Sequence, residues 1–288
     1  MNVIISILQI STPLIFASLG ALSTEYAGVL AVFMEGAISL SAFLFVLFTV
    51  FFGNYWLGFL CSLLAILLLL FAFAFFTEKK QANPFLTGLS FNLFAAGITT
   101  QASARGLGVN GVIAFSQFDS SKHIPLLNNS VPAAIALVFA LLFYLFLRCT
   151  KVGLNLRFSG EGGKVLEARG AAPSAYKIGS WLIAGFFAAC AGASLVLKLG
   201  AFTPNISSGR GWTALAVVFL SYKHPLLCVP AALLFSAAEY SANILQTLKF
   251  ISPSMILALP YLAALTAFIL PAIIKKDFVG FSRIRNKA

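Results

Sequence analysis

Charge is what this sequence lacks. Only 27 of its 288 residues are formally charged, 19 Lys+Arg and 8 Asp+Glu, where a water-soluble domain of this length carries about 72. Histidine is scarcer still: His123 and His224 stand far apart and form no ligand set. The four cysteines, Cys61, Cys149, Cys190 and Cys228, lie in or beside apolar runs without metal-ligand spacing and read as small buried apolar side chains. What remains is apolar. Hydrophobic residues make up 60%, there are 30 Phe, and mean hydropathy is +0.97, more than one water-soluble core can hide. The composition specifies an integral membrane protein. At about 20 residues per helical span, the chain holds about eight to ten spans and short loops. The expected fold is all-α, a polytopic transmembrane bundle forming one domain over 1–288. No room is left for a soluble catalytic domain, so any nucleotide-driven chemistry is expected on another chain.

The net charge of +11 marks nucleic-acid binding in a soluble protein and cytoplasmic loops in a polytopic one. Arg148, Lys151, Arg157, Lys164, Arg169 and Lys177 cluster in one segment, and Lys275, Lys276, Arg283, Arg285 and Lys287 in the tail. Both flank apolar runs and neither alternates with stacking aromatics, which sets nucleic acid aside. Apolar runs punctuated by Gly, Pro and charge predict spans at 3–20, 27–52, 55–77, 84–104, 130–148, 178–197, 208–222, 225–247 and 253–274. With both basic segments cytoplasmic, Glu78-Lys79-Lys80 falls inside, while 105–129 and the N-terminus fall outside. The first apolar stretch has no basic n-region, so it reads as a retained helix.

Two stretches break the pattern. Residues 25–36 (EYAGVLAVFMEG) put glutamates and glycines inside an apolar run, and 209–222 is short, opens Gly-Arg-Gly-Trp and stops at Lys223, His224 and Pro225. Such interruptions point to one or two discontinuous helices near a solute path, or else to irregular packing. GLGVNG (106–111) matches a dinucleotide fingerprint only literally, lacking the strand, helix and distal acid that it needs. GEGGKV (160–165) lacks the spacing of a phosphate loop and the hydroxyl after Lys164.

Polar groups inside spans are costly, about 2.5–3.5 kcal/mol for a central charge on insertion scales, so they face protein or water. Ser236, Glu239, Asn243 and Gln246 form one stripe at helical spacing, and Gly88, Asn92, Ala96, Thr99 and Ser103 form another. Each reads as the wall of a solute pathway or as interhelical glue. Glu35 reads as a gate element or as a buried carboxylate satisfied by neighbouring helices. Ala184, Ala188 and Gly192, with Gly185, Ala189 and Ala193, make two small-residue packing ridges. The segment 148–177 is longer than charge anchoring requires and holds Glu161, Glu167 and a helix-compatible VLEARGAA between glycines, which suits docking on a partner.

Taken in order, these features resemble the permease subunits of bacterial ABC importers, in the branch serving branched-chain amino acids, ribose-like sugars, purine nucleosides and riboflavin. TPLIFASLGALSTEYAGVLAVFMEG (12–36), GLSFNLFAAGI (88–98), TKVGLNLRFSGE (150–161), AGFFAACAGA (184–193) and GRGWTALAVVFL before Pro225 carry the resemblance. The last favours the nucleoside and flavin sub-branch. Two departures stand out: Ala31 where the family commonly has Asn, and Gly162-Gly163 in place of Asn-Pro. The resemblance implies a single permease domain in a bacterial cytoplasmic membrane, with a cytoplasmic ABC ATPase, a second and longer permease and an extracytoplasmic solute-binding protein as partners. It implies no cofactor on this chain, with ATP bound by the ATPase. Import of a purine nucleoside, riboflavin or similar ring-containing solute is the expectation. A sugar or amino-acid ABC permease, or a stand-alone ion-coupled transporter using Glu35 and Glu239, is the alternative. Asn92, Thr99, Ser236, Glu239, Asn243 and Glu35 are the expected path residues. Arg157, Glu161, Glu167 and Gly170 are expected to couple to the ATPase, within a cytoplasmic loop at about 149–177, with a further cytoplasmic tail at 275–288.

Overall fold

The computed structural model describes residues 3–106, 112–114 and 131–247. Among these, ten helices run in order: α1 Val3–Tyr26, α2 Met34–Phe52, α3 Tyr55–Lys80, α4 Pro84–Gly106, α5 Val131–Cys149, α6 Lys151–Glu161, α7 Gly163–Ala168, α8 Pro173–Leu199, α9 Arg210–Leu220 and α10 Pro225–Thr247. Two short strands, β1 Ile113–Ala114 and β2 Ala201–Phe202, pair antiparallel with Ile113 opposite Phe202. Six helices are long and apolar enough to cross a membrane: α1, α2, α3, α5, α8 and α10. The span expected at 253–274, the tail, His123 and most of 105–129 lie outside the described residues.

Helix α8 is the axis of the bundle. Its small residues let neighbours approach to backbone distance, which is how apolar helices associate where lipid offers no hydrophobic drive. Antiparallel to it runs α1: the Ser23 hydroxyl donates to the Ser180 carbonyl, Gly20 faces Ala184, and Phe16 meets Phe187. Parallel to it, on another side, runs α2: Phe33 stacks on Trp181 with ring centroids 4.0 Å apart, and the Ser41 hydroxyl donates to the Ala188 carbonyl. The second ridge serves α3, whose Leu67 and Leu70 close on Gly185. Outward, α3 shows Leu57, Leu60, Leu64, Leu68, Phe71 and Phe75, all exposed and at helical spacing. That apolar stripe is suited to hydrocarbon.

The ends of the bundle sort as the charge pattern requires. Lys177 at the start of α8 lies 4.0 Å from Glu78 at the end of α3. At the opposite end, β2 follows α8 and pairs with β1, which follows α4. Therefore α1 begins on the side away from the basic segment.

The structure corrects two expectations. Helix was expected to resume at 27, but α1 runs on to Tyr26 and α2 starts only at Met34. The apolar sequence Ala27–Phe33 carries no local helix breaker except Gly28, at φ +75°, and partners elsewhere hold it open. Cys149 is exposed rather than buried, at the end of α5, while Cys228 is buried as expected.

A Cβ on Gly192 would press on the Ala42 amide and the Ile38 carbonyl, each at 2.8 Å, and on the Ser41 hydroxyl. Gly192→Ala should therefore destabilise by about 1–3 kcal/mol, read as a lower melting midpoint in detergent. Gly97→Ala, where a Cβ meets nothing within 4 Å, should be neutral or stabilising by up to about 1 kcal/mol.

Candidate functional site

The two interrupted stretches meet. Beyond β2 the chain turns back into the bundle without helix through 203–209, and α9 then starts against the first turn of α2. Contact is backbone to backbone: a Cβ on Gly211 would collide with the Glu35 amide nitrogen and Cα. Glu35 lies between the levels at which α2 meets Trp181 and Gly192, in the central part of α8. Two helix N-termini thus face each other at mid-depth, each with unpaired N–H groups and a positive dipole end. The Glu35 carboxylate resolves the conflict. One oxygen accepts from the Gly209 amide at 2.7 Å and the Ser207 hydroxyl at 2.5 Å, and the other accepts from the Gly211 amide at 2.7 Å. The Ser207 hydroxyl also lies 2.7 Å from the Ser39 hydroxyl, one turn further along α2.

Asn92 of α4 holds the α1–α2 break from the other side. Its side-chain oxygen accepts from the Gly36 amide and its nitrogen donates to the Val32 carbonyl, both at 2.8 Å. Thr99, two turns on, is buried and donates to the Ala95 carbonyl of its own helix at 2.8 Å. Ala31 is fully buried inside the break. Its methyl leaves the polar bracket to Asn92 alone.

From the first residue of α9, Arg210 reaches across to α10. Its Nη2 donates to Glu239 at 2.5 Å, and Nη1 reaches the Ser207 carbonyl at 3.4 Å. A cation at a helix start opposes the dipole, and Glu239 compensates it. Lys198, on the last turn of α8, lies within Coulombic range of both. Ser236, one turn before Glu239, is buried, and its hydroxyl has no hydrogen-bond partner among the described residues. Asn243, one turn after it, is exposed. The Gln246 side chain lies outside the described residues. Arg210, Ser207 and Ser39 were not among the residues expected for the site. Their one sequence signal was an arginine between glycines in an apolar run, which demands a carboxylate.

The other end of α9 is tied to α1. Lys223 pairs with Glu25 at 2.9 Å, and the Tyr26 hydroxyl donates to the Lys223 carbonyl. There the break also meets the basic segment. Gly160, in the last turn of α6, sits so close that a Cβ would strike the Tyr26 carbonyl and the Gly28 amide nitrogen. Arg157 lies over the Tyr26 ring, 5.5 Å from its centroid. Thr150 caps α6 by accepting from the Gly153 amide, and Gly162 separates α6 from α7. Helix α7 docks through buried Leu166 and presents Glu167 to solvent, while Arg169 and Gly170, the latter at φ +75°, turn the chain toward α8. Glu161 ends α6, and its side chain is outside the described residues.

Residues 3–271 match the family model described as branched-chain amino acid transport system / permease component, and the chain belongs to that family of ABC transporter permeases. TsgC13 of Haloferax volcanii, provisionally named a glucose ABC transporter permease protein, is 28% identical over 92% of this chain and 82% of its own length. The nucleoside ABC transporter permease protein NupC of Lactococcus lactis subsp. cremoris is 27% identical over 81% and 79%. The guanosine ABC transporter permease protein NupQ of Bacillus subtilis is 28% identical over 90% and 89%. A solved inward-facing structure of a transporter provisionally placed in the metal-chelate ABC type covers 93% of this chain and 85% of its own, with TM-score 0.45 and 18% identity. The protein is thus an integral membrane permease subunit, and its family implies an ATPase partner and other ABC components.

Glu35→Gln keeps the shape at the α9 start but turns an amide donor on backbone donors. It should cost about 2–3 kcal/mol, the scale of a charged hydrogen bond lost with its partner left unpaired. Ser39→Ala removes one neutral contact and should cost about 1 kcal/mol. Unfolding midpoints in detergent read both, and equal midpoints would refute the capping role of Glu35.

Proposed function

We propose that this permease imports a purine nucleoside, paired with a second permease and driven by cytoplasmic ATPase subunits that receive solute from an extracytoplasmic binding protein. The names of two relatives, a nucleoside permease and a guanosine permease, support the substrate class. The name of TsgC13 supports a sugar as the second reading. The four segments around Glu35 form half of the pathway wall, with Glu239 and Asn243 facing the solute and Glu35, Asn92, Thr99 and Ser236 shaping the wall behind them.

One contact carries the coupling assignment: Gly160 against the α1–α2 break. Helices α6 and α7, with Arg157, Glu161, Glu167 and Gly170, dock on the ATPase. A shift of α6 then bears on residues 26–28, seven residues before the Glu35 cap. No side chain intervenes to absorb it, because both surfaces are backbone. The basic segment thereby gains a mechanical route to the centre of the membrane.

The test is the assembled complex in lipid nanodiscs, with binding protein and ATP, offered guanosine, glucose or riboflavin in turn. Guanosine should raise ATP hydrolysis severalfold over the other two; a response to glucose alone would establish the sugar reading instead. Gly160→Ala should assemble but lose most of the solute-stimulated increment. An increment equal to the unmodified complex would remove the coupling assignment.

A further inference from the structure

The two intramembrane carboxylates are in opposite states. Both oxygens of Glu35 are consumed by the α9 start. Glu239 uses one oxygen on Arg210, and its second accepts nothing among the described residues. Arg210 is equally incomplete: Nη2 is used, Nη1 has only a 3.4 Å contact, and Nε is buried without a partner among the described residues. The side chains are 20% and 33% exposed, on helices whose mid-depth surface cannot meet hydrocarbon with a charge. They therefore open onto water or the neighbouring subunit. Asn243 adds an exposed amide one turn along the same face of α10.

We infer that Arg210 and Glu239 form a specificity contact for the hydrogen-bonding edge of a 6-oxopurine base. This rests on the nucleoside reading. A free carboxylate oxygen beside a paired one accepts two parallel N–H donors, which guanine offers at N1 and its exocyclic amine. An arginine beside it supplies donors to guanine O6 and N7, the common two-point arrangement for that base. Adenine puts the N1 acceptor against the carboxylate, a repulsive match. A hexose offers hydroxyls with no fixed order of donors and acceptors. The pair thus selects guanosine, then inosine, over adenosine, at a stage after release from the binding protein.

The experiment measures uptake of guanosine, inosine and adenosine at subsaturating concentration by the whole complex in proteoliposomes, with assembly checked by co-purification. Glu239→Gln should lower guanosine uptake about tenfold, one lost two-point contact, and change adenosine less than twofold. The exchange Arg210→Glu with Glu239→Arg should leave guanosine low, because the donor and acceptor order is reversed. Asn243→Ala, on an exposed position, should lower guanosine and inosine about threefold and spare adenosine. It gives the answer if the charge variants do not assemble. Equal losses for all three nucleosides, with recovery in the charge exchange or with no base preference in Asn243→Ala, overturn the inference and leave a structural ion pair. If the unmodified complex takes up none of the three, the nucleoside reading falls and the inference with it.

Discussion

Everything at the centre of this permease depends on one carboxylate accepting the start of a helix that enters from the opposite direction. Helix starts carry unpaired donors and partial positive charge, so two of them meeting inside a membrane repel and leave donors in a medium that cannot solvate them. Glu35 supplies the acceptors at the point of contact, and Ser207 and Ser39 extend the network. Without it α9 has no reason to begin at mid-depth. Helix α9 is then fixed at both ends, by Glu35 above and by the Glu25–Lys223 pair and Tyr26 below. An eleven-residue helix too short to cross a bilayer is thereby made a rigid part of the wall.

The packing that allows this is backbone packing. Ala184, Ala188 and Gly192 on one ridge of α8 admit α1 and α2, and Gly185 on another admits α3. In lipid such contact depends on close approach, since neighbouring acyl chains are as apolar as leucine. The same logic operates at the edge of the bundle, where Gly160 rests on the break and joins the basic segment to the core. Large side chains fill the periphery, small ones fill the joints, and the joints fix the geometry.

Much of this was legible in the sequence. The stretches 25–36 and 209–222 stand out because charges and glycines interrupt apolar runs, and both prove to be helix starts preceded by non-helical chain. Their mutual contact was not legible, because Glu35 and Gly211 lie 176 positions apart and nothing local advertises the partner. The gap at 27–33 was missed for a related reason. Ala-Gly-Val-Leu-Ala-Val-Phe is a plausible membrane helix taken alone, and Asn92 and Gly160, from α4 and α6, help to keep it open. Residues 151–161 hold two glycines and lie outside the helix-compatible stretch VLEARGAA, yet they form α6. Gly153 is required there because Phe146 and Leu147 of α5 leave no space for a side chain. The family resemblance drawn from the ordered motifs agrees with the match over 3–271, although each motif alone was weak.

The two-residue pairing of β1 with β2 also sets a length. Below the pair, seven residues, 203–209, hang into the bundle before α9 begins, and fully extended they reach at most about 24 Å. Anchored at the rim by Ile113 opposite Phe202 and at the bottom by Glu35, they act as a plumb line. Folded into turns, they set how deep the half-helix starts, and one inserted residue would shift Arg210 relative to Glu239 by at most about 3.6 Å. The depth of the charged pair is thus written in a run of turns that meets Arg210 at the Ser207 carbonyl.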